Sequence, residues 1–273
     1  MSGALPRWRS LLFVPASRPD LAAKAPRSAP DAVVLDLEDA VPPRAKAEAR
    51  AGLGAMRASL PADLPVCVRV NPPGTEWFDA DVAALPPDLA AVVVPKLDTV
   101  EDVASVERRL GDRAVIAGLE TVRGVVDARL VLRGAVAGCY FGAEDYVADL
   151  GGVRTADNAE VTHARASVAM AARLAGVPAL DMVTLDFGDT DRFVGEAREA
   201  RALGYAGKLC IHPAQVGPAN EAFLPSAEEV DWARRLLAAF TEAEGATIAF
   251  EGLMVDEVVA ARARAIVADQ AGG

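Results

Sequence analysis

The sequence predicts an α/β fold, a (β/α)8 barrel with a C-terminal helical extension. Three observations carry that expectation. The chain has 273 residues, and about 250 are typical of a single barrel of this kind. Eight short apolar runs recur along it, none longer than six residues and none with clean polar alternation. Such runs are expected where strands are buried on both faces, as in a parallel sheet. Helix-like stretches lie between the runs, so strand and helix alternate as a TIM barrel requires.

In chain order the expected strands are Ser10–Val14, Ala32–Leu37, Val66–Val70, Ala91–Val94, Ala114–Leu119, Gly138–Phe141, Asp181–Leu185 and Lys208–Ile211. The stretch Pro42–Ser59 carries Ala, Arg and Glu with Pro at its start, where a fixed φ suits a first helical turn. Thr99–Leu110 opens on a capping Thr, and Glu101 and Asp102 put negative charge where the helix dipole favours it. Thr121–Leu132, Asp157–Ala175 and Asp189–Leu203 follow the same pattern. A doubly wound open sheet is the competing arrangement of these elements. The expected boundaries are a barrel over 1–225 and an extension over 226–273. In the extension, Ser226–Glu244 reads as a capped helix with Glu228 and Glu229 in its first turn. A Gly-containing segment, Gly245 to Gly252, leads to a last helix ending near Asp269. This tail is expected to pack on its own barrel or to reach a neighbouring subunit.

Composition removes several function classes. Net charge is −11, from 28 basic and 39 acidic side chains, and an acidic surface repels nucleic acid and anionic lipid. Any phosphate site must therefore be built from a few local cations. Cys67, Cys139 and Cys210 sit far apart in apolar runs and read as buried, reduced thiols. No window approaches the ~18 apolar residues of a membrane span, and Met1 to Arg9 lacks the apolar core of a signal peptide. A soluble, cytoplasmic protein is expected. The histidines are His163 and His212 only, so a His-rich zinc site is excluded, and there is no CxxC. GxGxxG after the first strand, GxxxxGK[ST] and GxSxG are all missing. Carboxylates, arginines and a few lysines remain, a set that suits a hard cation such as Mg2+ or Mn2+.

Barrel active sites form at the C-terminal ends of the strands. Charged residues follow the apolar runs there: Arg18, then Asp36, Glu38 and Asp39, then Arg69, Lys96, Glu120, Glu144 and Asp145, Asp186, and finally His212. Burying such charges is costly unless they are paired or bound to metal. Any one of these carboxylates is equally a candidate helix cap. Glu120 and Asp145 stand out because they end consecutive expected strands, about 4.8 Å apart. Two inward carboxylates so placed suit a shared ion completed by water and a chelating substrate.

The runs Arg9-Ser-Leu-Leu-Phe-Val-Pro-Ala with Arg18, Leu35-Asp-Leu-Glu-Asp, Val68-Arg-Val-Asn, Val94-Pro-Lys, Leu119-Glu-Thr-Val-Arg-Gly, Phe141-Gly-Ala-Glu-Asp and Cys210-Ile-His-Pro occur in this order. Together they resemble the citrate lyase beta-subunit-like family, which belongs with malyl-CoA and citramalyl-CoA lyases in the HpcH/HpaI aldolase group. The likeness runs from about Arg9 to about Asp256. The segment Phe250-Glu-Gly-Leu-Met-Val-Asp resembles the family's C-terminal lid motif, with Val258 where proline is frequent.

The resemblance implies Mg2+, or Mn2+, held by Glu120 and Asp145. It implies that Arg69 grips an oxo-acid carboxylate through its bidentate fork. A salt bridge from Arg69 to the Leu35–Asp39 carboxylates is the alternative, and both can hold. Asp36 would line the substrate site or orient Arg69, and Asp39 would stand beside metal-bound water. Arg18 and Lys24 fall where relatives hold coenzyme A phosphates, with His212 as a pocket wall; a solvated helix face is the alternative for the two cations. Lys96 reads as a strand-end ion-pair partner, because a Schiff-base role needs burial beside an oxo group. Asp256 matches an acid/base aspartate acting in a neighbouring subunit's site, with a helix N-cap as the alternative. The implied assembly is a homo-oligomer, a trimer or hexamer.

The implied reaction is reversible Claisen-type cleavage of a 3-hydroxyacyl-CoA, with citryl-, malyl-, citramalyl- and hydroxymethylglutaryl-CoA as candidates. The products are acetyl-CoA, or a homologue, and a 2-oxo acid. Three alternatives stay open: a citryl-thioester lyase subunit of a citrate lyase complex, an acyl-CoA thioesterase on the same site, and a non-catalytic CoA- or oxo-acid-binding protein.

Overall fold

The structure, a computed structural model, describes residues 4–271. Eight parallel strands close into a barrel: β1 (Ser10–Pro15), β2 (Ala32–Asp36), β3 (Val66–Arg69), β4 (Ala91–Val94), β5 (Val115–Leu119), β6 (Gly138–Phe141), β7 (Ala179–Asp181) and β8 (Gly207–Cys210). β8 pairs with β1, Ser10 lying opposite Lys208. That pairing excludes the open sheet and makes the fold a TIM barrel. The absence of alternation has a direct cause: adjacent residues such as Val33 and Val34 are both buried, one toward the barrel interior and one toward the helices. Leu11, Val34, Cys67, Val93, Ile116 and Tyr140 pack together in the interior, which is therefore a filled core rather than a pore.

β7 departs from the expected run. It ends at Asp181, having paired only Ala179 and Leu180 with β6 and Leu180 and Asp181 with β8. The apolar stretch Met182–Leu185 lies beyond the strand, so Asp186 is not a strand end. It instead accepts a hydrogen bond from the Gly188 backbone in the following loop. Some expected helices also divide. Lys46–Ser59 follows a short 3-10 turn, and Val122–Val126 and Ala128–Val131 share the span expected of one helix. Thr99, Thr121 and Asp189 each accept a backbone hydrogen bond as N-caps.

One glycine is fixed by the closure. A Cβ at Gly207 would overlap the Trp8 carbonyl oxygen and lie 2.7 Å from that of Arg9. Backbone atoms cannot swing aside, so Gly207→Ala must part β8 from β1. We expect a loss of about 2 kcal/mol or more, read as a lower denaturant midpoint at unchanged slope.

The chain divides into two compact units, Met1–Asn220 and Glu221–Gly273. In the second, a helix (Ala227–Glu242) capped by Ser226, an antiparallel hairpin of β9 (Ile248–Phe250) and β10 (Leu253–Val255), and a helix (Glu257–Ala271) enclose Ala233, Leu236, Phe240, Val255, Ala260 and Ala263. The Gly-containing segment is thus a hairpin. Glu251 and Gly252 both have positive φ, as a two-residue type I′ turn requires.

Cys67, Cys139 and Cys210 are free and buried. Burial pushes each thiol up to about 12, so the thiolate is suppressed. Among the described residues no helix is long and apolar enough to cross a membrane.

Candidate active site

A cavity of about 390 Å³ opens at the C-terminal mouth of the barrel, lined by Phe13, Asp36, Asp39, Arg69, Glu120 and Asp145 among others. Its floor begins with the ends of β2 and β3, where Asp36 and Arg69 are register partners. Arg69 donates through Nε and Nη2 to the two oxygens of Asp36, each at 2.7 Å. Asp36 also accepts from the backbone N–H groups of Glu38 and Ala40. The fork is therefore locked in one rotamer, with its plane over the Phe13 ring at 5.0 Å. The remaining nitrogen, Nη1, faces Glu38 at 2.9 Å and Asp39 at 3.7 Å. Burial opposes the Arg69 charge, but Asp36 and Glu38 outweigh it and hold the guanidinium well above its ordinary value. Orientation by Asp36 and pairing with the β2 carboxylates thus coexist.

A second layer supports this floor. Lys46, at the start of its helix, donates to the carbonyls of Leu37 and Glu38 and to Asn71 Oδ1. Asn71 in turn donates to Asp81. Each of these groups is buried, and together they tie the loop after β2 to the end of β3.

Glu120 follows β5 and is 2% exposed. Its Oε1 accepts from the Lys96 backbone N–H at 3.0 Å and its Oε2 from the Tyr140 hydroxyl at 2.9 Å. Two glycines make room for that pair. A Cβ at Gly118 would come within 2.5 Å of the Tyr140 hydroxyl, and one at Gly142 within 2.5 Å of Glu120 Oε2. Burial raises the Glu120 carboxyl above its usual range; Lys96 and Arg69 pull against this, while Asp145 adds to it.

Asp145 does not end a strand. β6 stops at Phe141, and Asp145 lies in the first turn of a helix, Ala143–Leu150. Successive helical side chains diverge by about 100°, so Glu144 turns away to pair with Arg154 at 3.0 Å. Asp145 meets Glu120 through Lys96, whose Nζ is 3.3 Å from Asp145 Oδ2, 3.7 Å from Glu120 Oε1 and 3.1 Å from Glu38 Oε1.

The donor set fits a hard divalent ion. Among the described residues no three or more Asp, Glu, His or Cys side chains converge as a metal cage. Yet Glu120 and Asp145 already share one cation, the Lys96 ammonium, and Glu120 is a buried carboxylate whose charge calls for more compensation than it has. Two carboxylates completed by water and substrate suit Mg2+.

Glu38 is the least satisfied group. Its Oε2 lies close to Arg69 Nη1 but off the N–H direction, and accepts no hydrogen bond. Burial pushes its carboxyl up to about 8, with Arg69 opposing and Glu120 and Asp39 adding. Between the ordinary value of 4.5 and about 8 the folded state therefore holds more protons than the unfolded chain. This contribution to stability is complete at the acid end and is lost as pH rises through that window. We expect Glu38→Gln to flatten the fall, measured as urea unfolding free energies at a series of pH values across it.

Other expected site residues lie elsewhere. Arg18 is exposed and forms a fork with Asp20 at 2.8 Å, and Lys24 is exposed. His212 accepts from the Ala214 backbone through Nδ1 and stacks on Phe187 at 4.7 Å. These three do not line the cavity. Asp256 belongs to the second unit, where Oδ1 accepts from the backbones of Val258 and Val259 and caps the last helix. His163 is exposed on its helix. Tyr140, Gly118, Gly142 and Lys46 are the site-building residues not anticipated. The one available signal was Tyr140, a hydroxyl inside an apolar run, which needs a partner when buried.

Comparison with known proteins places this geometry. The HpcH/HpaI aldolase/citrate lyase family matches residues 9–213. A citrate lyase subunit beta-like protein of Deinococcus radiodurans is 48% identical, over 96% of this chain and 97% of that protein. A (3S)-malyl-CoA thioesterase of Cereibacter sphaeroides is 34% identical, over 87% of this chain and 84% of its own. Among solved structures, the CitE protein of Mycobacterium tuberculosis in complex with magnesium, acetoacetate and coenzyme A superposes with a TM-score of 0.87 at 38% identity, covering 98% of this chain and 100% of that one. With the barrel and the order of its motifs, these matches mean that the chain belongs to the HpcH/HpaI aldolase/citrate lyase family.

Proposed function

We propose that the protein is a cytoplasmic, magnesium-dependent carbon–carbon lyase that cleaves a 3-hydroxyacyl-CoA to acetyl-CoA, or a homologue, and a 2-oxo acid. One observation carries this reading: Glu120 and Asp145 converge on a single cation position beside the locked fork of Arg69. The magnesium, acetoacetate and coenzyme A complex of the M. tuberculosis relative supports it. The catalytic barrel is residues 1–225, and the extension over 226–273 supplies Asp256.

Glu120 and Asp145 would hold Mg2+, or Mn2+, which when bound supplies Lewis-acid polarisation of the acid's oxygen. The other steps belong to the chain. Arg69 receives the acid's carboxylate on its Nη1 edge, and Asp36 fixes that edge so that little orientation is lost on binding. Asp39, at the mouth, accepts hydrogen bonds from water in the site. A base takes the proton from the acid's hydroxyl, whose oxygen becomes the carbonyl oxygen of the 2-oxo acid, as the bond from that carbon to the thioester α-carbon breaks and its electron pair passes to the α-carbon. Asp256 of a neighbouring subunit returns a proton there, and in condensation it removes one. The active form is thus a homo-oligomer, a trimer or hexamer. Arg18 and Lys24 neutralise the coenzyme A phosphates, with His212 beside the thioester arm.

The thioesterase relative supports a second reading, hydrolysis at the same site. Product analysis with Mg2+ and citryl-, malyl-, citramalyl- and hydroxymethylglutaryl-CoA separates the two. Acetyl-CoA with an oxo acid, a 2-oxo acid from citryl-, malyl- or citramalyl-CoA and acetoacetate from hydroxymethylglutaryl-CoA, supports the lyase. Free CoA with no oxo acid supports the thioesterase. Turnover only on a carrier-protein thioester would make the chain a citrate lyase subunit. Metal-dependent acid binding without any turnover would overturn the enzyme reading.

A further inference from the structure

The cavity and its floor carry six carboxylates, Asp36, Glu38, Asp39, Glu120, Glu144 and Asp145; Glu144 is paired with Arg154, and the other five face the cations Arg69 and Lys96. With no acid bound, Arg69 pairs with the three from the β2 end. Glu120 and Asp145 are left to Lys96. That lysine is fixed to Glu120 twice, by its backbone N–H at 3.0 Å and by its ammonium at 3.7 Å. Its φ is 53°, a left-handed backbone that a residue other than glycine adopts at a cost. The strained turn sends the side chain inward across the mouth, where Nζ stands between the two carboxylates. The side chain is 31% exposed, so its flexible stem has a route to solvent.

We infer that Lys96 is a tethered counter-ion, which holds the cation position between Glu120 and Asp145 in the metal-free protein and gives it up when a divalent ion binds. The inference rests on the reading of Glu120 and Asp145 as the metal-holding pair. Its physical content is a competition. An ion on those two carboxylates comes within a few ångströms of the ammonium, and like charges that close repel strongly at low dielectric. Every metal-binding event must therefore displace Lys96 toward Glu38 or into solvent. The lysine keeps the carboxylates together while no metal is present, at the expense of metal affinity. It is a positioning residue, because it sets where Glu120 and Asp145 wait.

The test uses Mn2+ as probe, with bound and free ion separated by electron paramagnetic resonance, on the wild type, Lys96→Met, Lys96→Gly, Lys96→Arg and Glu120→Gln. Thermal midpoints are taken with and without Mn2+. Lys96→Gly removes the ammonium and also relieves the left-handed backbone, which guards against a variant that merely folds badly. Lys96→Met and Lys96→Gly are expected to bind Mn2+ at least about tenfold tighter than wild type, the equivalent of one factor of ten in Kd, and Lys96→Arg to stay near wild type. The metal-free midpoint of Lys96→Met should fall and be recovered by Mn2+. Unchanged or weaker Mn2+ binding in both charge-removed variants, with binding lost in Glu120→Gln, would overturn the counter-ion while leaving the metal pair standing. No Mn2+ bound by the wild type or by any Lys96 variant would overturn the metal pair, and this inference with it.

Discussion

Asp145→Ala should abolish thioester cleavage while leaving the barrel folded. The polarisation a divalent ion supplies is worth several kcal/mol in the transition state, so kcat/KM is expected to fall by about 10³-fold or more. The fold should tolerate the change, because Asp145 is 40% exposed and sits in a first helical turn rather than in the core. Losing its favourable place at a helix N-terminus costs about 0.3–1 kcal/mol. Product analysis and denaturant unfolding on one preparation check both halves. Retained cleavage would remove Asp145 from the metal pair. Lost cleavage with a large stability loss would leave the residue's chemical role unproven.

Arg69→Ala should act in the opposite proportion, striking stability as hard as activity. Asp36 is 1% exposed and gives both its oxygens to the Arg69 fork. Removing the guanidinium strands that carboxylate, and breaking a buried pair from one side costs about 3–5 kcal/mol. Glu38 is spared the full effect, because Lys96 still reaches it at 3.1 Å. Arg69→Lys keeps the charge but not the fork. It should fold and show a raised KM for the acid with a smaller stability loss. A double-mutant cycle of Arg69→Ala with Asp36→Asn should return a large coupling in urea unfolding, because the asparagine no longer needs the cation. Near-additive values would mean that the pair contributes little to holding the floor.

Much of this architecture was legible because burial on both faces leaves a plain mark. Val, Ile and Leu runs place β1 to β6 and β8 within a residue or so, and the charges that follow them mark Asp36, Arg69 and Glu120 as mouth residues. What could not be read depends on backbone geometry or on three-dimensional neighbours. Met182–Leu185 imitates a strand by composition, although β7 has already ended. Asp145 faces the site through a helical turn, although its place after an apolar run reads as the end of a strand. β9 and β10 are too short to show alternation, and their turn is Glu-Gly rather than Asn-Gly. The Tyr140 hydroxyl finds Glu120 only because Gly118 and Tyr140 are register partners across β5 and β6. Lys96 reaches three carboxylates only because its backbone is left-handed.

The early end of β7 has a consequence for how such a protein changes over generations. Val183 and Leu185 line the cavity, yet neither belongs to a strand. Between them Thr184 is pinned, its hydroxyl donating to Glu196 and its carbonyl accepting from Gln215. This stretch of wall is thus fastened at its centre, while Val183 packs on the barrel core and Leu185 stands exposed at the mouth. Exchanging Val183 or Leu185 alters the room open to a ligand without breaking a strand pair or touching the charged floor. A lineage can reshape the cavity there one substitution at a time, while each buried charge pair of the floor must change with its partner.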